Sequence, residues 1–297
     1  MFSCEGGLPV KYFAGLAWFF LFPLSGMAEP AKAVRYFQTD ARYDYRIELL
    51  QLVLDKSQSK FGPATLQAET TNMSHGRGEL SLENGLIDVA FFATNKIREQ
   101  KFTAIKYPIL QGILGYRILL VHKDRQADFA AVTTLSQLAS DFIGGFGSHW
   151  ADKKILEDNR LKITASPLYQ NLFAMLNAKR FDYFPRGINE IWHESQQLAP
   201  DYRNIVIEKS LALYYPYPVY FFVNKRNSRL AQRIQLGLTK SLQDGSLKQL
   251  FLKYHLQDIQ RSQLHKRKIL MLENHQLPAG TAKPDSQWWL KRIENVG

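Results

Sequence analysis

Short apolar runs alternate along this chain with segments whose apolar positions recur at helical spacing. Val34-Arg35-Tyr36-Phe37 reads as a first strand, and a polar, aromatic turn follows between Asp40 and Tyr45. Residues 47–54 put Ile47, Leu50 and Leu54 on one helical face, with Leu49 and Val53 alongside. Phe61-Gly62-Pro63 breaks that helix. Residues 64–69 then predict a second strand and 76–84 a second helix, which stops at a left-handed Gly85. Residues 89–92 form a fully apolar strand of the kind a parallel sheet buries. The turn after it holds Thr94 and Arg98 at a strand's carboxyl end, where open α/β sheets place their ligands.

The alternation continues to the end of the chain. Pro108, Gly112 and Gly115 punctuate a stretch that becomes a strand ending at Val121. A helix starts at Leu135, and Phe142-Ile143-Gly144-Gly145-Phe146-Gly147-Ser148 is a strand running into a glycine-rich turn. Residues 168–179 are helical, and 181–187 are strand then turn. The segment 178–184 echoes 84–90, as one structural unit used once in each of two lobes. A second punctuated crossing, 214–223, precedes amphipathic helices at 229–242 and from Leu247 to Tyr254, separated by Asp244-Gly245. The tail holds Pro278, Gly280 and Pro284 yet ends in Trp288-Trp289-Leu290, which suggests a strap packed on a lobe. Strand and helix in alternation predict parallel sheets with flanking helices.

Residues 1–28 read as an export signal instead of fold. Lys11 precedes a long apolar run, Pro23 interrupts it, and Ser25-Gly26-Met27-Ala28 supplies small residues at a cleavage point. The run is short for a membrane span, though a retained anchor is the alternative. Cys4, the one cysteine, lies ahead of the run and would leave with the peptide, so the mature chain could form no disulfide. Export then places the protein in the periplasm.

The remaining length, about 270 residues, exceeds a usual single core and points to two lobes. A hydrophobic content of 45% is that of a globular protein and excludes a polytopic membrane protein. The net charge of +11 invites a nucleic-acid reading, but export removes that partner and the cations are dispersed. The densest cluster, His265-Lys266-Arg267-Lys268, reads as a solvated turn. The positive field favours anionic ligands or a membrane surface.

In order and spacing these pieces resemble the periplasmic solute-binding proteins of the polar amino-acid class (family 3). The resemblance spans residues 34–255. It rests on Gly85-x-x-Asp88 leading to Thr94-x-x-x-Arg98, Leu135-x-x-Leu138 leading to Gly147-Ser148, and the Asp182 strand leading to Phe184-Pro185-Arg186-Gly187. Val223-Asn224-Lys225 with Asp244-Gly245 and Leu250-x-x-x-Tyr254 completes it. It implies an α/β fold of periplasmic-binding-protein type II: two α/β lobes with central, mainly parallel sheets, joined by two crossing strands. Lobe 1 would take 29–112 and 223–297, the latter with the C-terminal strap, and lobe 2 would take 113–222.

The resemblance further implies a ligand cleft between the lobes. Arg98 would pair with a ligand carboxylate, since a planar guanidinium forks onto two oxygens. Ser148 would complete the carboxylate's shell from the second lobe, and Tyr43 would pack on the ligand. Phe91 and Thr94 join this candidate set, and Gly112, Gly115, Tyr217 and Pro218 mark the hinge. Each has a structural alternative: Arg98 a solvated helix start, Ser148 a helix cap, Tyr43 and Phe91 lobe packing.

Where amino-acid binders carry an acid for the ligand's ammonium, this chain has Phe184-Pro185-Arg186-Gly187. Arg186 cannot receive a cation, so together with Arg98 it points to a dicarboxylate or other dianion. No metal-ligand spacing, nucleophile elbow or phosphate loop is present in the sequence, so no metal or cofactor is expected. An enzyme on this scaffold, a dehydratase or cell-wall lyase, would need a further module or a carboxylate in the cleft, and neither is evident. The expectation is therefore a monomeric, non-catalytic protein that captures an anionic or amino-acid-like ligand by hinge closure. It would serve an inner-membrane ABC permease, or alternatively a membrane receptor or kinase as a sensor.

Overall fold

A computed structural model describes Met1 and residues 31–69, 73–198 and 200–281. The proposed signal at 1–28 and the tryptophans of the tail lie outside these described residues. In chain order the elements begin with β1 (Lys32–Tyr36), α1 (Asp44–Lys56), α2 (Gln58–Phe61), β2 (Ala64–Ala68), α3 (His75–Glu83), β3 (Val89–Ala93), α4 (Lys96–Lys101) and β4 (Phe102–Ile105). The middle of the chain supplies β5 (Tyr116–His122), α5 (Gln126–Ala131), α6 (Leu135–Asp141), β6 (Ile143–Gly147), α7 (Lys153–Asp158), β7 (Lys162–Ser166), α8 (Tyr169–Asn177), β8 (Tyr183–Gly187), α9 (Ile191–Leu198), β9 (Ile205–Ile207) and β10 (Leu211–Tyr214). β11 (Val219–Asn224), α10 (Ser228–Gln243), α11 (Ser246–Ser262) and β12 (Lys268–Met271) follow.

Local chemistry sets many of these boundaries. Asn95 caps α4 by accepting from the Arg98 N–H, Asn227 caps α10 through the Leu230 N–H, and Thr134 with Gln137 forms a capping box on α6. Such caps are worth about 1 kcal/mol each. Gly85 (φ 72°) lies in the left-handed region just past α3, as its sequence predicts.

One lobe is built on β1–β2, paired in parallel, and on β3–β11–β4, paired antiparallel. Gln38 joins the two sets by exchanging both of its amide groups with the Phe91 backbone, at 2.6 and 2.9 Å. The other lobe holds a seven-stranded sheet in the order β12-β10-β5-β8-β6-β7, with β9 also on β5. The seven-stranded sheet is mixed, and the β3 sheet is wholly antiparallel, because β5 and β11, which receive the chain as it crosses, run against their neighbours.

The chain crosses through residues 106–115 and returns through 215–218. β11 therefore joins the β3 sheet from Val219 onward, earlier than the expected boundary at 222. A third connection, after α11, was not expected. β12 pairs in parallel with β10, so residues 268–271 lie on the sheet of the other lobe, before the carbonyls of His275 and Gln276 accept from Lys96 at the start of α4. The cause is Arg267, whose side chain turns inward from the cationic cluster and donates to the carbonyls of Ser262, Glu208 and Leu211. Leu270 and Leu272, both buried, then cover the sheet.

The core of the first lobe centres on α1 against α10. Leu49, Leu50, Val53 and Leu54 are fully buried, facing Ile234 and Leu238. Gly237 permits the close approach, since a Cβ there would lie 2.0 Å from the Val53 carbonyl oxygen. α1 is thereby fixed with its amino end, which carries Tyr43 and Arg46, at the mouth of the cleft.

Candidate functional site

Between the lobes lies a cavity of about 130 Å³. From the β3 lobe it receives Arg42, Tyr43 and Arg46 at the start of α1, His75 at the start of α3, the end of β3, and Arg98 on α4. From the other lobe come Arg117 on β5, Trp150 to Asp152, Arg186 on β8 and Glu190. Leu114, Tyr217 and Val219 close it from the crossings. The glycine-rich turn has a physical reason: the Trp150 indole occupies the place where a Gly147 Cβ would be, 2.5 Å away. Trp150 thus lies nearly parallel to Phe184 at 6.0 Å, with the Arg186 guanidinium 4.8 Å from its ring centre.

Tyr43, Phe91, Arg98 and Arg186 are brought together here, joined by Tyr217, which was expected only at the hinge. The Tyr43 and Phe91 rings pack at 5.8 Å. Thr94 and Ser148 stand apart from the lining. Thr94 is buried, its hydroxyl donating to Glu99 at 2.6 Å and its N–H to the Pro218 carbonyl at 2.9 Å. The Ser148 hydroxyl is buried without a hydrogen-bond partner among the described residues, while its N–H donates to the Ser166 carbonyl. Gly112 (φ 86°) and Gly115 lie on the first crossing, and a Cβ at Gly115 would meet the Tyr215 carbonyl of the second crossing at 2.3 Å.

The guanidinium groups differ sharply in what they hold. Arg98 gives Nε and Nη2 to one oxygen of Glu79, at 2.9 and 2.8 Å, and Nη1 to the Ala93 carbonyl at 2.6 Å. Arg186 is forked onto Glu194 at 2.6 and 2.5 Å and reaches Glu190 at 3.1 Å. Arg117 is paired with Asp152 at 2.7 Å, and Tyr215 donates to the same oxygen. Exposed Arg42 holds Asp40 at 3.1 Å. The two arginines expected to face a dianion do line one cleft from opposite lobes, but each is already engaged by carboxylates of the chain itself.

Arg46 is the exception. It is 7% exposed, its Nε has no partner, and no described carboxylate or carbonyl accepts from its side chain. Its guanidinium rests on the Tyr43 ring at 4.9 Å. Burial lowers its pKa from the usual arginine value, against the pull of Glu190. His75 hydrogen-bonds the Tyr43 hydroxyl at 3.1 Å. Desolvation, and then Arg98, Arg46 and Arg42, hold its pKa down to about 4, so it is neutral at pH 7.

Two carboxylates, Asp152 and Glu190, face the same cleft. This corrects the expectation that the cleft has none, and removes the ground for excluding an amino-acid ligand. Burial works against ionisation of Glu190, but Arg186 and Arg117 outweigh it and hold its carboxyl well below the usual range. Sequence reasoning missed Arg42, Arg46, His75, Arg117, Trp150, Asp152 and Glu190. For Glu190 the available signal was an acid three residues beyond Gly187, just past the second-lobe strand. For Arg46 it was a cation on the buried face of an apolar helix.

No family model and no curated protein matches the sequence. Solved structures do match. An ancestral arginine-binding protein bound to arginine is 17% identical, with a TM-score of 0.56, over 75% of this chain and 97% of that one. An arginine-specific periplasmic binding protein of Salmonella typhimurium is 18% identical, with a TM-score of 0.55, over 75% and 99%. A histidine kinase sensor domain with similarity to periplasmic binding proteins is 14% identical, with a TM-score of 0.55, over 76% and 96%. These likenesses define the class by fold: the two-lobed, type II fold of periplasmic binding proteins. No helix among the described residues is long and apolar enough to cross a membrane.

Proposed function

We propose that this protein is a non-catalytic, periplasmic solute-binding protein. It captures a small carboxylate-bearing, amino-acid-like ligand between its lobes and delivers it to an inner-membrane ABC transporter. The observation that carries this reading is the cleft itself, where charged groups from both lobes and an aromatic wall surround a cavity of about 130 Å³. A cavity of that size is well above the roughly 10–15 Å³ that one water needs, so it admits a small ligand. Tyr43, Phe91, Arg98 and Arg186 would line it, and lobe closure about Gly112, Gly115, Tyr217 and Pro218 would bury the ligand. The closed form must gain contacts that the open form lacks, or the ligand would shift nothing.

Catalysis is disfavoured on the same geometry. A general acid or base works best with a pKa near the operating pH, and Glu190 is held well below it by two guanidinium groups. Asp152 already accepts from Arg117 and Tyr215.

A sensing role is the second reading, favoured by the likeness to a kinase sensor domain. Export through residues 1–28 and action as a monomer belong to either. A thermal-shift screen of the purified protein over amino acids, dicarboxylates and other small anions tests ligand capture, because a ligand that binds only the folded form raises the melting temperature. A rise of several degrees with at least one compound is expected; no shift with any of them overturns the reading. Uptake and reporter assays in a deletion strain then separate delivery from sensing.

A further inference from the structure

Among the described residues, one cation of the cleft has no carboxylate at close range, and it is not the expected one. Four of the five arginines lining the cavity hold a carboxylate within hydrogen-bonding distance. Arg46 holds none, although it is nine-tenths buried and opens onto the cavity. Burying a guanidinium without a partner is costly. Such a group persists where another function maintains it, and an arginine's fork fits a carboxylate oxygen pair. The Tyr43 ring beneath it and the α1–α10 packing behind it fix its direction.

Opposite polarity lies across the cavity. Asp152 spends only Oδ2 on Arg117 and Tyr215, and Glu190 spends only Oε2 on Arg186, Arg117 and the Gly187 N–H. The second oxygen of each has no hydrogen-bond partner among the described residues.

We infer that Arg46, and not Arg98, takes the ligand's carboxylate, and that the ligand is dipolar, with its cationic group turned toward Asp152 and Glu190. Arg98 is then a brace that ties α4 to Glu79 and to the end of β3. This assignment rests on the ligand-capture reading and names the groups that orient the ligand within it.

The test uses the purified protein, the twenty common L-amino acids, the carboxamide of each binder, and a set of dicarboxylates, in calorimetry and thermal shift. For wild type, an amino acid binds and its carboxamide binds at least tenfold more weakly. In Arg46→Met the amino acid loses at least tenfold in affinity while the carboxamide changes by less than threefold, which isolates the guanidinium–carboxylate contact. Arg46→Lys, which keeps the charge but not the fork, recovers part of the loss. Without ligand, Arg46→Met melts about 2–4 °C higher than wild type, because a buried unpaired charge has been removed.

Amino-acid affinity within twofold of wild type in Arg46→Met overturns the assignment, as does a melting temperature lowered by several degrees, which would make Arg46 structural. Binding of dicarboxylates but no amino acid overturns the dipolar ligand and leaves ligand capture standing. Binding of nothing overturns ligand capture itself.

Discussion

At the scale of single residues, burial and partnering decide the chemistry more than residue type does. His255 is 7% exposed, its Nε2 has no partner, and it packs 4.6 Å from the Tyr45 ring with Phe251 and Tyr254 around it. Desolvation, helped by Arg46, holds its pKa down from 6.5 to about 3. Between those values the unfolded chain binds a proton that the native protein does not, so stability falls as the pH drops below 6.5. At pH 5 the loss from this one group is about 2 kcal/mol. His255→Leu should remove that part of the acid limb, so that its urea midpoint drops less between pH 7 and pH 5 than that of wild type; equal drops would show that the imidazole does not stay neutral. The same distinction limits what could be read of the site. Arg98 and Arg186 were legible as arginines at strand ends, and both do line the cleft. Their carboxylate partners, Glu79 and Glu194, were not, because neither has a pattern of its own and both are brought in by the packing of α3 and α9. Arg46 precedes Leu49 and Leu50 by one turn on the buried face of α1, so its direction was legible, but its lack of a partner was not, because the fold decides which carboxylates come near.

At the scale of elements, the legible parts are those whose periodicity and punctuation agree. α10, β3 and β8 combine clear spacing with a Gly, Pro or Asn at or near an end, α1 has the spacing alone, and all four stand where the sequence places them. The short β7, β9 and β12 have three to five residues each, too few for a hydrophobic period to show. Their pairing partners define them, so a single sequence does not reveal them. The α1–α10 crossing gives this scale a sharp test. Gly237 lies in the interior of α10, where alanine would raise helix propensity by about 1 kcal/mol. A Cβ there would lie 2.0 Å from the Val53 carbonyl oxygen, a backbone atom that cannot rotate away. Separating the two helices to admit it should cost about 1–3 kcal/mol, in the range of an overpacked core, and should exceed the propensity gain. Gly237→Ala is therefore expected to lower the urea midpoint. Because α1 carries Tyr43 and Arg46, ligand affinity should fall with it. A more stable variant would mean that the helices are not in backbone contact.

At the scale of the whole molecule, the two-lobed order was legible because lobe crossings need Pro- and Gly-punctuated segments, and two such segments stand in the sequence. The third connection carries no such mark, and its anchor was hidden in a cationic run that reads as solvent-facing. Arg267 leaves the end of α11 and reaches the second sheet. There it donates to the carbonyls of Ser262, Glu208 and Leu211 and lies 3.6 Å from the Glu208 carboxylate, which is wholly buried. Glu208 itself accepts from the N–H groups of Ser210 and Leu211 and from Gln126, so its position is fixed with or without the arginine. Arg267→Met would leave that carboxylate buried with no cation beside it, a change that typically costs about 3–5 kcal/mol. Adding Glu208→Gln should return a large share of the loss, since the amide needs no counter-charge. Urea unfolding of the two single variants and the double variant measures this coupling directly. Hydrogen exchange should also rise at residues 268–272, where β12 is held on β10, while α1 and α10 keep their protection. A double variant no more stable than Arg267→Met would mean that Arg267 acts through its three carbonyl contacts alone and that the third connection needs no ion pair.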